Sequence, residues 1–325
     1  MSQKVVVCGA GFLGSHIARA ICSAKTVAEK TRVVQLSSRH PDRIHRTVSQ
    51  TLSQDLKTRL LHPVAVDITK PETLAPAFKG ASVVVSLVGI LHGTPEAFER
   101  IQWRGAENVA RAAQNAGAKL IHISAIGANP ESKLAYERTK GLGEQAVLET
   151  CPTATVIRPS IVFGPEDDFF NRFARLSKFL PFMPVFGGGN SLFQPVYVDD
   201  VSQAVEIISR DDEEIRQLVD GKIIEAGGPD VITYRQVMEL VLKYGKRWRP
   251  IISVPFGVGK MQAFFLEKLP PNLFSLTRDQ VEQLKRDNIV NPDPGSEHVS
   301  LEKLLSTYDS RPLTSVHEIL PKYLA

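Results

Sequence analysis

A doubly wound α/β fold, built on a parallel sheet, is the expectation from three observations. The apolar runs of the first half are continuous and β-branched, which marks strands buried on both faces. Segments with helical spacing separate them. The first run ends in glycines that open the next helix. Taken in order, "KVVVCGAG" is a strand and turn, and "GSHIARAICSA" is a helix with Ile17, Ala20 and Ile21 on one face. "TRVVQLSSR", "HPVAVDI" and "ASVVVSLVG" are the second to fourth strands. "TPEAFERIQWRGAENVARAAQNAGA" is a long helix closed by Gly117, followed by the strand "KLIHISA", the helix around "AYERTKGLGEQAVLET" and the strand "TATVIRPS". In a sheet of this kind, ligands sit at the carboxyl ends of the strands.

After "RPSIVFGPEDD" the composition changes. Phe169, Phe170, Phe173, Phe179, Phe182 and Phe186 crowd together with Pro181 and Pro184, and "FGGGN" makes a flexible turn. "FQPVYVDDVSQAVEII" then reads as a strand and helix returning to the main sheet, and from about Gly227 helices and proline-rich loops dominate. The expected organisation is a nucleotide-binding domain over residues 1–165 plus about 194–226. A smaller discontinuous cap region follows, over about 166–193 and 227–325, covering the nucleotide crevice.

Composition narrows the function. The chain has 325 residues, 43% hydrophobic and 23% charged, an ordinary globular balance. A net charge of +4 with no basic block argues against a nucleic-acid partner. Cys8, Cys22 and Cys151 are too scattered for a zinc site or a disulfide framework, so no metal is expected and a reducing compartment is. No apolar run approaches the ~20 residues of a spanning helix. The first strand begins almost at Met1, so no cleavable presequence is expected.

Gly9, Gly11 and Gly14 form G-x-G-x-x-G between a strand and a helix, the setting of a dinucleotide loop. Gly9 permits the turn, Gly11 admits the pyrophosphate, and Gly14 lets the helix pack on the strand. The helix start at Phe12 and Leu13 presents free N–H groups to the anion. A NAD site usually ends its second strand with an acidic residue; here stand Ser37, Ser38 and Arg39. Arg39 can pair with a 2′-phosphate, which favours NADP(H) as cofactor over NAD(H). Asp67 and Ile68, after the third strand, are placed to meet the adenine. Val88 and Gly89, after the fourth, leave space for the nicotinamide ribose.

"YERTK" sets Tyr136 and Lys140 at i and i+4, on one helix face. The ammonium is expected to lower the Tyr136 pKa, so that the phenol can exchange the proton that accompanies hydride transfer. Ser124, at the end of the fifth strand, can hydrogen-bond a substrate carbonyl. Pro159, at the end of the sixth, joins the nucleotide residues.

Glycine loop, Ser124 and Tyr-x-x-x-Lys in this order resemble the short-chain dehydrogenase/reductase superfamily, of the extended or atypical type. "HISAIGANPESKLAYERTK", "RPSIVFGPEDDFFNRFA", "FQPVYVDDV" and "LTRDQVEQLKRDNIV" are similar to one branch of it. That branch includes the NADPH-binding accessory subunit of mitochondrial respiratory complex I and a fungal protein associated with coenzyme Q synthesis. The resemblance implies a Rossmann sheet and a tightly held, mainly structural NADP(H). It also implies a protein-complex partner at the mitochondrial inner membrane, on the matrix side. Cys8 stands where extended members usually carry their first glycine.

In "VPFGVGKMQAFFLEKLPPNLF", Met261, Phe264, Phe265 and Leu269 follow helical spacing, with Lys260, Gln262 and Lys268 elsewhere. The stripe suits a membrane surface, a quinone tail, a partner subunit or simply the core of the cap. With the phenylalanine cluster it suggests an apolar crevice for a quinone or isoprenoid ligand. Three functions remain open: an auxiliary factor of complex I or of coenzyme Q synthesis, a reductase of an apolar carbonyl compound, and a sensor of the NADPH/NADP ratio.

Overall fold

Valine-rich runs become the strands of one parallel, eight-stranded sheet. Its first six strands are β1 (Gln3–Cys8), β2 (Arg32–Ser38), β3 (Val64–Ala65), β4 (Val83–Ser86), β5 (Lys119–Ile123) and β6 (Thr155–Pro159). The strands Ile223–Ala226 and His298–Ser300 extend it beyond β6. Across the sheet the order is His298–Ser300, Ile223–Ala226, β6, β5, β4, β1, β2, β3. The order reverses between β1 and β4, the switch point at which nucleotides bind in such sheets. The computed structural model describes residues 2–24, 31–267, 273, 275, 277–293, 295 and 297–324.

The chain forms two units. The first comprises residues 1–159, 198–226 and 291–312 and holds the whole eight-stranded sheet. Val5, Val6 and Val7 of β1 are fully buried, because helices cover both faces. On one face Val6, Val84 and Leu120 pack with Leu74, Phe78, Val109 and Ala113. The opposite face is covered by the helix Phe12–Ser23, which lies against the helix Val198–Ile208 and buries Ile17 and Ile21 completely. Burial of each such side chain contributes about 1.5–3 kcal/mol.

The long helix expected after β4 is an α-helical turn, Pro95–Phe98, a π-helical segment, Glu99–Arg104, and the helix Gly105–Asn115. Gly117 does close it, at φ +66°. The third strand is only two residues long. Val196–Tyr197 differs from expectation as well: it pairs with Val162–Phe163 in a separate ladder and not with the main sheet. Residues 291–312, expected in the cap region, lie in the first unit and supply the strand His298–Ser300. A buried ion pair closes this unit under β2. Arg32 meets Glu206 and also donates to the Glu206 carbonyl at 2.9 Å and to Ser209 Oγ at 3.0 Å. Arg210 and Gln203 satisfy the other Glu206 oxygen at 2.7 and 3.0 Å. Saturation of the carboxylate is what makes its burial tolerable.

The second unit, residues 160–197, 227–290 and 313–325, is organised by aromatic rings. Phe169 stacks edge-on against Phe170 and Phe173, each with centroids 5.2 Å apart, and lies 5.9 Å from Phe193. Phe186 joins this core, whereas Phe179 and Phe182 are exposed. The "GPEDD" turn has a structural purpose. Buried Asp167 accepts from the Phe170 and Gly164 N–H groups at 2.7 and 3.2 Å, and from the Tyr323 hydroxyl at 2.5 Å. It thereby ties the helix Phe169–Phe179 to the helix Val316–Tyr323. Burial pushes its carboxyl up. In the helix Phe256–Leu266, Met261, Phe264 and Phe265 are exposed, so they are not core. Lys268, Leu269 and Leu276 lie outside the described residues. Among the described residues no helix is long and apolar enough to cross a membrane.

Candidate functional site

The three loop glycines are needed for different reasons. Gly9 sits at φ +134°, where side chains are strained, and a Cβ on it would lie 2.6 Å from Leu87 Cβ. A Cβ on Gly14 would lie 2.1 Å from the Gly9 carbonyl oxygen, so helix and turn touch through bare backbone. Gly11 is the opposite case. It caps the helix Phe12–Ser23 in extended backbone, φ −127°, and a Cβ there would meet nothing within 4 Å. The helix has no side-chain cap, so the N–H groups of Phe12, Leu13 and Gly14 are open to a ligand. An open cradle over an uncapped helix start fits a dinucleotide pyrophosphate.

At the end of β2 the expected ribose-side residues divide. Ser37 is fully buried; its Oγ accepts from Gln35 Nε2 at 2.9 Å, and its carbonyl accepts the Gly9 N–H at 2.8 Å. It therefore braces the turn, and its side chain is not available to a 2′-phosphate, a correction to the expectation. Ser38 is half-buried and Arg39 exposed. Arg39 acts on Asp67. That carboxylate is held below its usual range by the Thr69 hydroxyl at 2.8 Å and the Thr69 N–H at 3.0 Å, then by the charges of Lys70 and Arg39. Ile68 packs against Gly105, and its carbonyl accepts from Asn108 at 2.9 Å, which fixes the segment expected to meet the adenine.

The helix Ala135–Thr150 places Tyr136 and Lys140. Lys140 is buried, and Nζ donates to the carbonyls of Val88 at 2.9 Å and Ile123 at 3.3 Å. Burial draws its pKa down to about 8, against the opposing charge of Glu144. A Cβ built on Gly89 would lie 3.0 Å from Nζ and 3.6 Å from Gln102 Oε1. Tyr136 is half-buried and meets Phe98 edge-on at 6.0 Å. Its phenol is pushed up to about 12, by desolvation first and by Glu137 second. The expected lowering by Lys140 is thus overturned: the lysine spends its donors on main-chain carbonyls, and desolvation goes unopposed. Ser124 is buried, with Oγ lacking a hydrogen-bond partner. Pro159 is buried too, and its carbonyl accepts the Ile126 N–H at 3.0 Å.

Four further residues shape this site without having been singled out in the sequence. Gln102 lies in the π-helical segment. Its Nε2 donates to Thr139 Oγ1 at 3.0 Å, while its buried Oε1 has no partner. A Cβ on Gly143 would lie 2.3 Å from the Gln102 carbonyl, and one on Gly141 2.3 Å from the Pro130 nitrogen. The two glycines let the Tyr-Lys helix approach its neighbours. His122 is buried with Nδ1 3.2 Å from Ser86 Oγ and Nε2 unpartnered. Desolvation, then Lys140, draws it down to about 3, so it is neutral. Only the "GLG" that follows Lys140 carries a visible signal of close helix packing; a lone Gln or His carries none.

The sheet order, the glycine turn at its switch point and the buried Tyr-Lys helix define a dinucleotide-binding domain of the short-chain dehydrogenase/reductase type. The chain belongs to the 3-beta hydroxysteroid dehydrogenase/isomerase family, whose match runs over residues 5–222. It is 32% identical over 241 residues to the mitochondrial NADH dehydrogenase (ubiquinone) 1 alpha subcomplex subunit 9 of Arabidopsis thaliana, covering 70% of this chain and 58% of that protein. It is 30% identical over 200 residues to the ceramide reductase of Caulobacter vibrioides, covering 61% of this chain and 58% of that protein. The chain thus spans under two thirds of the length of each. The fold matches the triphenylmethane reductase of a Citrobacter species complexed with NADP(H). The TM-score is 0.69 at 18% identity, over 99% of this chain and all of that one.

Proposed function

We propose that the protein is an NADP(H)-binding auxiliary factor of mitochondrial respiratory complex I or of coenzyme Q synthesis. It holds the nucleotide mainly as a structural part, on the matrix side of the inner membrane. The observation that carries nucleotide binding is the open position at Gly11 above an uncapped helix start, between two glycines that packing requires. Arg39, exposed directly after β2, supports the 2′-phosphate form. Lys140, tied to the turn after β4, and the unpartnered Gln102 Oε1 face the space at Gly89, as groups for the nicotinamide ribose. When bound, the nucleotide supplies a hydride donor. The similarity to the complex I subunit of Arabidopsis thaliana supports the setting. The test is isolation of the tagged protein from mitochondrial membranes. Complex I or coenzyme Q synthesis proteins should copurify with it, and NADP(H) should be released on denaturation. Recovery of the protein alone and nucleotide-free sinks the reading.

A second reading rests on Ser124. Its buried, unpartnered Oγ suits a substrate carbonyl, with Tyr136 as proton donor and Lys140 behind it. The similarity to a ceramide reductase supports an apolar carbonyl substrate. Oxidation of bound NADPH by a quinone or a long-chain ketone would favour it.

A further inference from the structure

The second unit carries a concentration of exposed apolar side chains. Among the described residues ten large hydrophobic side chains are exposed, and eight of them lie in two segments, 179–182 and 248–265. Trp248 is 83% exposed, Phe179 69%, Phe265 63% and Met261 61%. The segments adjoin. Met183–Phe186 pairs with Ile251–Val254. Arg249 Nε donates to the Leu180 carbonyl at 2.9 Å, and the Met183 N–H to the Pro250 carbonyl at 2.9 Å. The helix Phe256–Leu266 follows directly. Phe182, Ile252 and the Trp248 loop therefore belong to one continuous edge.

Charge is equally one-sided. Residues 169–186 hold Arg172, Arg175 and Lys178 and no Asp or Glu. Residues 240–266 hold Lys243, Lys246, Arg247, Arg249 and Lys260 and again no acid. The acids at the borders of these segments are Asp168, which meets Arg175, Glu239, Glu267, which meets Arg278, and Glu282, which meets Lys260 and Lys285, so the weight of the positive charge falls on Lys243, Lys246, Arg247 and Arg249. Lys246, Arg247 and Trp248 stand together on the loop and are all exposed. Exposed aromatic side chains flanked by cations are the composition that sits at a membrane–water interface, with rings at headgroup level and cations on lipid phosphates.

We infer that this edge is a docking surface for an anionic lipid bilayer, with the Lys246–Arg247–Trp248 loop as its anchor. Attachment is peripheral and depends on both parts. Aromatic and aliphatic side chains enter the interfacial layer, while the cations are drawn to the negative surface potential. The inference goes beyond the nucleotide reading and does not rest on it.

The test is flotation of the full chain with phosphatidylcholine vesicles, with and without phosphatidylglycerol. The protein should float with anionic vesicles only and release as salt rises. In a Trp103→Phe background, Trp248 fluorescence should shift to the blue on binding. Lys246→Ala/Arg247→Ala should bind about thirtyfold more weakly, at about 1 kcal/mol for each cation lost. Trp248→Ala should weaken binding at unchanged salt dependence. All variants should keep the wild-type melting temperature and nucleotide affinity. Those readouts distinguish failure here from failure of the nucleotide reading. The inference is overturned by equal binding to neutral vesicles, by no binding, or by variants that bind as wild type. Self-association that buries Trp248 in the absence of lipid also overturns it.

Discussion

Lys140 Nζ donates at 2.9 Å to the carbonyl of Val88, so the Tyr-Lys helix braces the turn after β4. The ammonium is buried, and its pKa falls from 10.5 to about 8. The folded state therefore binds fewer protons than the unfolded state between about pH 8 and 10.5. Stability rises with pH wherever the unfolded state binds more. The ligand-free protein should gain stability relative to Lys140→Met as pH is raised from 8 toward 10, by about 3 kcal/mol at most. Paired thermal melts across that range check it. A difference that stays flat, or falls, would show that Lys140 is not held as a desolvated ammonium. Tyr136, raised to about 12 by desolvation and Glu137, lowers the stability of both proteins alike above about pH 10, so the difference between them still reads Lys140.

Gly11 and Gly14 should fail in opposite ways. A Cβ at Gly14 would sit 2.1 Å from a main-chain oxygen, so Gly14→Ala should destabilise the ligand-free protein by about 1–3 kcal/mol or more. Gly11 has ordinary extended backbone and open space, so Gly11→Val should fold with nearly wild-type stability. It should lose the gain that saturating NADPH gives the wild type, about 2.7 kcal/mol at a hundredfold excess over Kd. Melting curves with and without nucleotide distinguish the two. Retention of the NADPH-dependent shift in Gly11→Val would exclude the pyrophosphate from this loop.

Arg39 is the one exposed cation among the three residues expected to choose the nucleotide, since Ser37 is turned inward. NADPH should bind more tightly than NADH, and Arg39→Ala should weaken NADPH about ten- to a hundredfold while leaving NADH nearly unchanged. Titration calorimetry with both nucleotides measures this directly. Equal losses for the two would assign Arg39 to the fold.

Much of the sheet was readable because its strands are buried on both faces. Runs such as Val5–Val7 and Val83–Val85 are continuous and β-branched, the pattern of a strand covered on both faces. Gly117 was readable because glycine is the residue that ends a helix at positive φ, and the helix Ala135–Thr150 because Tyr136 and Lys140 stand one turn apart between two strands. The π-helical segment at Glu99–Arg104 was not; the contact that accompanies it, the Gln102 carbonyl against Gly143, joins residues far apart in the chain. Ser37 departs from the expectation because its hydroxyl is buried and bonded to Gln35. Residues two apart in a strand share a face, which sets Ser37 beside Gln35, and both faces of β2 are covered at this point. The Arg32–Glu206 pair joins residues far apart in the chain and leaves no pattern in either segment. For Tyr136, spacing sets Lys140 one turn away but does not show that its donors go to the Val88 and Ile123 carbonyls.

Tyr136→Phe separates a structural cofactor from a reactant. The change removes the hydroxyl alone; the ring can keep its edge contact with Phe98 at 6.0 Å. The phenol is pushed up to about 12 by desolvation and by Glu137, so it keeps its proton at neutral pH in the ligand-free protein. Tyr136→Phe should therefore fold, retain NADPH and assemble with its partners. Cells carrying it should respire normally, whereas cells carrying Gly11→Val should not. Nucleotide content after purification and oxygen consumption in the two strains measure both halves of the prediction. If Tyr136→Phe protein holds NADPH and assembles yet respiration fails as it does with Gly11→Val, the hydroxyl is doing chemistry. The protein would then be a working reductase, with Ser124 as the group that receives its substrate.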